Sequence, residues 1–408
     1  MNRSFRGGSR LKGKPATDLT PAFALEQAPF WATYCVAVSF AAVYLQALGY
    51  SNRQLGLILA AGCLLSALAG PLISAWIDRS RRVTASRLTP WALAIQAAAL
   101  VVLICCPRRG LATSLGFLLY LAVSNSVNSL NLKLYSDAVY RGAAIDYGFC
   151  RGAGSLGYVL VSVSVGFLAQ RCSALVIPWA GLLLCLLQYL TFRRFLRRCP
   201  AGAGVETEDR PRSSTLPEFA RRNRRFCLLL LGLVLMFFAH NAAGNFLINV
   251  VRHLGGDTGT LGWLNGFMAA VEIPMMFLYS RIFRGKGSAA RALRLSFVFL
   301  TLKAAGIAAA ATVPQLAAVF LLQAPSFALF TAAIVPYVSE AAAYEDSAKA
   351  QSLAYTMTTV GSVLASLLAG LMYDALPVSL TLWIACGICA AGTVIALCST
   401  ERPGRNAG

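Results

Sequence analysis

Apolar residues occur along this chain in long, nearly unbroken runs rather than in the narrow stripes of a surface helix. They recur from residue 22 to residue 398, each about 18–25 residues long and so enough to cross a roughly 30 Å hydrocarbon core as a helix. The pattern predicts twelve spans: 22–48, 54–77, 88–106, 112–135, 148–169 and 173–193, then 226–250, 259–283, 290–312, 314–338, 348–372 and 376–398. No period-2 alternation runs through them, so a β-barrel does not fit. The expected fold class is an all-α membrane protein with twelve transmembrane helices in two six-helix bundles.

The polar positions set the punctuation. The stretch from Arg194 to Arg225 holds Pro200, Gly202, Gly204, the acidic run Glu206 to Asp209, and Pro211 to Ser214. That composition reads as a mobile linker. The expected organisation is a tail at 1–21, a bundle at 22–193, a linker at 194–225, a second bundle at 226–398 and a tail at 399–408. Six spans, a basic linker and six more spans is the layout of a transporter whose halves are related by an axis along the membrane normal.

Composition agrees with the pattern. Hydrophobic residues make up 57% and charged residues 13%, where soluble chains carry about 25% charged residues; the mean hydropathy is +0.64. A net charge of +20 could suggest nucleic acid, but its placement says otherwise. The basic residues sit in short runs between apolar stretches, such as Arg79, Arg81, Arg82 and Arg193, Arg194, Arg197, Arg198. With both termini in the cytoplasm, about 28 Lys and Arg fall on cytoplasmic segments and about 5 outside, with Lys133, Arg151 and Lys303 in or at the edge of spans. That bias follows the positive-inside rule. It predicts a multi-pass protein of the plasma (inner) membrane. The basic, Gly-rich stretch Met1 to Lys14 is followed by an apolar run without a small-residue cleavage site, which reads as an uncleaved start.

Ionisable groups at membrane depth are costly and usually line a cavity or pair with one another. Four stand out: Glu272 in the eighth span, Lys303 in the ninth, Asp137 at the inner end of the fourth and Arg151 just inside the fifth. They are read either as ion pairs that lock helices or as a solute and proton site. Asn241, Asn245 and Asn249 lie four apart on one helix face, with His240 beside them. Facing lipid, those amides would be left unsatisfied, so the stripe is expected to face the interior. Asn125, Asn128 and Asn131 repeat the idea at spacings of three. Interhelical hydrogen bonding is the competing account of both stripes.

Two further patterns carry less. Gly152 to Gly157 spells a literal G-x-G-x-x-G, but inside a span and overlapping Gly148-x-x-x-Gly152; close helix packing explains it better than a dinucleotide. Cys386 and Cys389 form a C-x-x-C without a second pair nearby, and the 12 cysteines read as packed thiols.

Trp76-Ile77-Asp78-Arg79-Ser80-Arg81-Arg82, between the second and third spans, resembles the signature loop of the major facilitator superfamily. The resemblance implies that Asp78, Arg79 and Arg82 help hold one alternating-access state. The match is partial, with Ser74 and Arg81 where the motif has Gly. Ile145 to Arg151, followed by Gly154 to Tyr158, resembles the start of the fifth helix in the lactose permease and phenylpropionate transporter group. There the Arg matching Arg151 contacts the sugar, with Asp137 in the place of its fourth-helix carboxylate partner. Tyr158 stands where that group has a sugar-stacking Trp. Ala270 to Pro274 resembles the segment whose Glu is a substrate-site acid, Lys303 falls near an Arg of the ninth helix, and Gln351 to Asp374 resembles the eleventh. The tenth-helix His and Glu of lactose permease are missing, since Leu321 to Phe330 offers only Gln323 and Ser326; its seventh-helix acids are replaced by the Asn stripe. Sugar specificity therefore does not transfer.

These readings predict a secondary active transporter of a small organic solute of the sugar, nucleoside or aromatic acid class, working by alternating access as a proton-coupled importer. Its partners would be the solute, protons and the bilayer, without nucleic acid, cofactor or metal, and the chain would act as a monomer. Glu272 would alternate between protonated and ionised forms, Arg151 would orient a hydroxyl or carboxylate, and Tyr158 would stack on the solute. A multidrug-type efflux antiporter and a non-transporting membrane sensor are the alternatives. An enzyme is not expected, because no H-E-x-x-H, nucleophile–base pair or metal-ligand cluster occurs.

Overall fold

The computed structural model describes residues 17–79, 83–199, 216–285, 287–341 and 344–400. Apolar composition drives nearly all of this chain into helix, because only a helix satisfies its own backbone groups away from water. The first half holds α1 (Thr20–Ser39), α2 (Ala41–Ala47), α3 (Asn52–Arg79), α4 (Ala85–Cys105), α5 (Leu111–Tyr140), α6 (Tyr147–Arg171) and α7 (Val176–Arg198). After a short α8 (Leu216–Arg222) come α9 (Arg224–Gly244), α10 (Leu247–His253), α11 (Thr258–Ile282) and α12 (Ser288–Ala309). The chain then forms α13 (Val313–Phe320), α14 (Leu329–Ala341), α15 (Tyr344–Ala375) and α16 (Val378–Ser399).

Among the described residues, eleven segments are long and apolar enough to span a membrane, and α1 with α2, bent by 46°, makes a twelfth if counted as one span. Three spans that the sequence pattern makes continuous are broken or irregular. The first breaks at Phe40, the seventh is divided at Asn245 and Phe246 between α9 and α10, and the tenth passes through a 3-10 turn and a π-turn. The π-turn, Ala324–Ala328, contains Pro325, which has no N–H to donate and so favours such a break. α7 runs to Arg198, five residues beyond the sixth predicted span.

The helices pack as two six-helix bundles. Within the first, α1 lies against α6 and α7, and α4 against α5; within the second, α9 lies against α16, and α12 against α14 and α16. The halves meet along α6 with α11 and α3 with α15. We call the end holding Lys133, Arg141 and Arg198 the basic end. Glycine permits the close approach at the other end. A Cβ on Gly56 of α3 would lie 1.9 Å from the Ser366 carbonyl oxygen of α15, and one on Gly262 of α11 would lie 2.4 Å from the Ser162 carbonyl oxygen of α6. Ser162 Oγ donates to the Gly262 carbonyl at 2.8 Å, so the α6–α11 crossing is bonded as well as packed.

Polar side chains reinforce that end. Gln46 donates to Asn52 and Asn249 at 2.8 Å each, Asn249 donates to Asn52 at 2.8 Å, and Arg252 donates to Gln46 at 2.8 Å. Asn249, the third member of the α9–α10 amide stripe, therefore belongs to a clasp between the halves.

Candidate functional site

Among the described residues, cavities lined from both halves lie between them. The first, about 350 Å³, is lined by Tyr34 of α1, Asn125 of α5, Asn241 and the adjoining Asn245, and Thr358 and Ser362 of α15, among others. Such a volume suits a small organic molecule. Its lining carries no charged side chain. The periodicity that put Asn241 and Asn245 on one helix face delivers both to this chamber. Asn241 Nδ2 donates to the Phe237 carbonyl at 2.7 Å and Asn245 Nδ2 donates to Ser366 Oγ at 2.9 Å. Tyr34 donates to Asn125 Oδ1 at 3.3 Å across the chamber wall.

The second cavity, about 380 Å³, is lined by Tyr147, Arg151 and Ser155 of α6, Phe277 of α11, Thr331 of α14 and Tyr355 of α15, among others. Arg151 is held in two ways. Its guanidinium lies 3.8 Å from the centroid of the Trp31 ring and donates to Ser155 Oγ at 2.9 Å. Stacking suits a planar, weakly hydrated cation and leaves the remaining N–H groups available.

Glu272 and Lys303 meet through an amide. Gln323 Nε2 donates to Glu272 Oε1 at 2.7 Å, and Lys303 Nζ donates to Gln323 Oε1. Lys303 also reaches His240 Nδ1 at 3.3 Å, and His240 stacks on Phe327 with ring centroids 4.9 Å apart. Gln323 closes the 3-10 turn two residues before Pro325, so the irregular tenth span is what aims this amide between α11 and α12. Glu272 also lies within electrostatic reach of Arg151 on the facing helix of the other half.

The remaining expected residues are dispersed. Asp137 pairs with Lys133 at 3.6 Å, one helical turn away on α5, and not with Arg151. Tyr158 shares a 2.6 Å hydrogen bond with Ser39, which fixes its hydroxyl inside the first bundle. Asp78 and Arg79 belong to the last turn of α3 by backbone, while their side-chain placement, and Arg82 altogether, lie outside the described residues. No cluster of three or more His, Cys, Asp or Glu able to hold a metal occurs among the described residues.

Two further groups of the first span belong to this region. Glu26 is 1% exposed and Trp31 carries Arg151. The signal for Glu26 was present, since it is an ionisable residue inside the 22–48 stretch. Nothing in the local sequence marks Trp31 as the platform for an Arg 120 positions later.

This geometry matches known proteins. The model of the MFS_1 like family matches residues 30–383. The chain belongs to this family. Among solved structures, the MFS_1 like chain resembles a mutant form of the nucleoside transporter NupG at 15% identity, covering 93% of this chain and 98% of that one with a TM-score of 0.75. An auto-inhibited POT family peptide transporter shares 10% identity over 93% and 95% of the two chains, with a TM-score of 0.70. A bacterial homolog of the human lysosomal transporter Spinster, in an inward-facing and unoccupied conformation, shares 14% over 93% and 94%, with a TM-score of 0.61. At these identities the likeness concerns the fold. No curated protein sequence matches the chain. Family and fold together make it a multi-pass membrane transporter of the major facilitator type.

Proposed function

We propose that this protein is a secondary active, proton-coupled importer of a small organic solute in the plasma (inner) membrane, with both termini in the cytoplasm. The carrying observation is the pairing of an uncharged, amide-lined cavity with Arg151 and Glu272 on facing helices of opposite halves. Charges at membrane depth are retained where they act on a solute or a proton path. The charge bias across the bundle supports an orientation with the basic end in the cytoplasm.

In this reading the solute occupies the amide-lined chamber, and Arg151 binds a hydroxyl or carboxylate from the second cavity. Glu272 takes up or releases the coupled proton. Its hydrogen bond to Gln323 links that event to Lys303, so the charge state of α11 reaches α12. NupG, the POT transporter and the Spinster homolog are similar in fold and leave the solute class open among sugars, nucleosides and aromatic acids.

The test begins with thermal-shift screening of the purified protein against those three classes, since a ligand stabilises the state it binds. The stabilising solute is then followed into proteoliposomes. Glu272→Gln is expected to abolish accumulation driven by a pH gradient while leaving the protein folded. Normal accumulation by that variant removes the proton role from Glu272; absence of flux in the wild type, in either direction, removes the transporter reading.

A further inference from the structure

The first bundle holds a carboxyl group that the transport reading leaves unused. Glu26 lies in the second turn of α1, 1% exposed, beside the apolar cluster of Phe23, Leu130, Leu134, Cys150, Phe192 and Phe195. Its Oε2 accepts from Gln27 Nε2 at 2.9 Å, while its Oε1 has no hydrogen-bond partner. Across from it, Asn131 of α5 is 2% exposed, and neither its Oδ1 nor its Nδ2 has a hydrogen-bond partner. Asn131 faces Glu26 closely enough for its amide to act on the carboxyl group, in a geometry that falls short of a hydrogen bond.

The groups around Glu26 supply no counter-charge. From α5 come Asn131 and Tyr135, while Lys133 and Asp137 pair with each other one turn further on. From α6 come Cys150, Tyr147 and Arg151, the last stacked on Trp31 and bonded to Ser155. From α7 come Phe192 and Phe195, with Arg193 drawn over Tyr189. From α1 itself come Gln27, Trp31 and Tyr34. Glu26 forms no ion pair among the described residues.

A buried carboxylate with one formed amide hydrogen bond, a second amide facing it and no cation is still unfavourable, and a neutral carboxylic acid is the state such a site accepts. A protonated Oε1 also supplies the donor that Asn131 Oδ1 lacks, so one added proton satisfies two orphaned atoms together. We propose that Glu26 and Asn131 form a proton-binding site in the first bundle, separate from Glu272, with the proton on Glu26 Oε1 shared toward Asn131.

The site has a path to the solute region. Gln27 Oε1 accepts from Trp31 Nε1 at 3.2 Å, and the Trp31 ring carries the Arg151 guanidinium. Trp31 has little freedom to move, because a Cβ on Gly154 would already lie 2.3 Å from its Cδ1. Loss of the proton places a negative charge at the end of the Glu26–Gln27–Trp31 chain and pulls on Arg151. That coupling rests on the transport reading; the proton occupancy of Glu26 does not.

The test is infrared spectroscopy of the full-length purified protein at neutral pH, which needs no solute and no flux. Wild type minus Glu26→Gln is expected to show one carboxylic acid C=O band, retained in Glu272→Gln. Asn131→Leu is expected to move that band to higher frequency by removing its hydrogen bond. Carboxylate bands in the Glu26 difference spectrum would overturn the assignment. If Glu26→Gln does not fold, an unmoved carboxylic band in Asn131→Leu overturns it equally.

Discussion

The carboxylate of Asp374, in the last turn of α15, caps the first turn of a helix in the other half. It accepts from the backbone N–H of Asn52 at 3.0 Å and of Arg53 at 2.8 Å, and from Asn52 Nδ2 at 2.9 Å. The first N–H groups of a helix have no partner within it, and an anion there also meets the positive end of the helix dipole. An element of the second bundle therefore satisfies α3 only while the two halves are together at this end.

Asp374→Ala removes that cap. A lost cap of this kind costs about 1–2 kcal/mol, a roughly 5–30-fold shift in a two-state balance. Spin labels on Leu111 and His253, exposed at this end in opposite halves, report the change after the exposed Cys105, Cys172 and Cys398 are replaced. The expected result is a larger population with widely separated labels. An unchanged distance distribution would mean that the cap does not help hold this end shut.

Packing at the same end leaves no room for a methyl group. Gly56→Ala forces its Cβ against the Ser366 carbonyl oxygen, backbone that cannot rotate away. Overpacking costs about 1–3 kcal/mol, here charged to the closed arrangement alone. The same labels are expected to separate, with little loss of thermal stability once apart. Retention of the wild-type distances would show that α3 and α15 shift to absorb the methyl.

Much of this architecture was legible in residue order. Helices follow from apolar length, and the four-residue spacing of Asn241 and Asn245 puts them together in the chamber. What local pattern cannot encode is partner choice across the fold. The same spacing rule treats Asn249 like its two neighbours, yet it lies at the clasp with Gln46 and Asn52. Gln323 looked like a residue left where family members carry titrating groups, but the break at Pro325 turns its amide between Glu272 and Lys303. Arg151 meets an aromatic ring on α1 rather than a carboxylate on α5. These are facts of tertiary geometry.

Gln323→Leu deletes the amide that joins Glu272 to Lys303. Leaving bonded polar partners unsatisfied inside the fold costs about 1–3 kcal/mol, more when they are charged. Thermal unfolding is expected at a clearly lower temperature. Gln323→Leu combined with Lys303→Met should recover part of the loss, because the second change removes one stranded charge. Equal stability of wild type and the single variant would rule out a structural weight for this link.

Asp257 predicts a pH dependence at the end away from the basic residues. Its carboxylate precedes α11, accepts from the Thr260 backbone N–H at 2.8 Å and Thr260 Oγ1 at 2.9 Å, and is bonded by Gln170 of α6. The Thr260 N–H holds its pKa below the ordinary 3.8. A depressed carboxylate contributes stability that is present above the unfolded value and is lost as pH falls through the folded one. Stability is therefore expected to decline below the ordinary carboxyl value of 3.8, and Asp257→Asn should remove this part of the decline. Identical acid profiles for the two proteins would place the acid sensitivity elsewhere.

Arg151→Lys separates charge from shape. Lysine keeps the positive charge but offers a compact ammonium in place of a planar fork, and it stacks poorly on an indole. The Trp31 contact is worth about 0.5–2 kcal/mol, so thermal stability should fall modestly. If Arg151 orients the solute with its free N–H groups, uptake should fall roughly tenfold or more, the loss expected from about 1.4 kcal/mol or above. Trp31→Phe keeps a ring face under the guanidinium and should lose less. Wild-type uptake by Arg151→Lys, with an unchanged half-saturating solute concentration, would reduce Arg151 to a structural cation between α1 and α6.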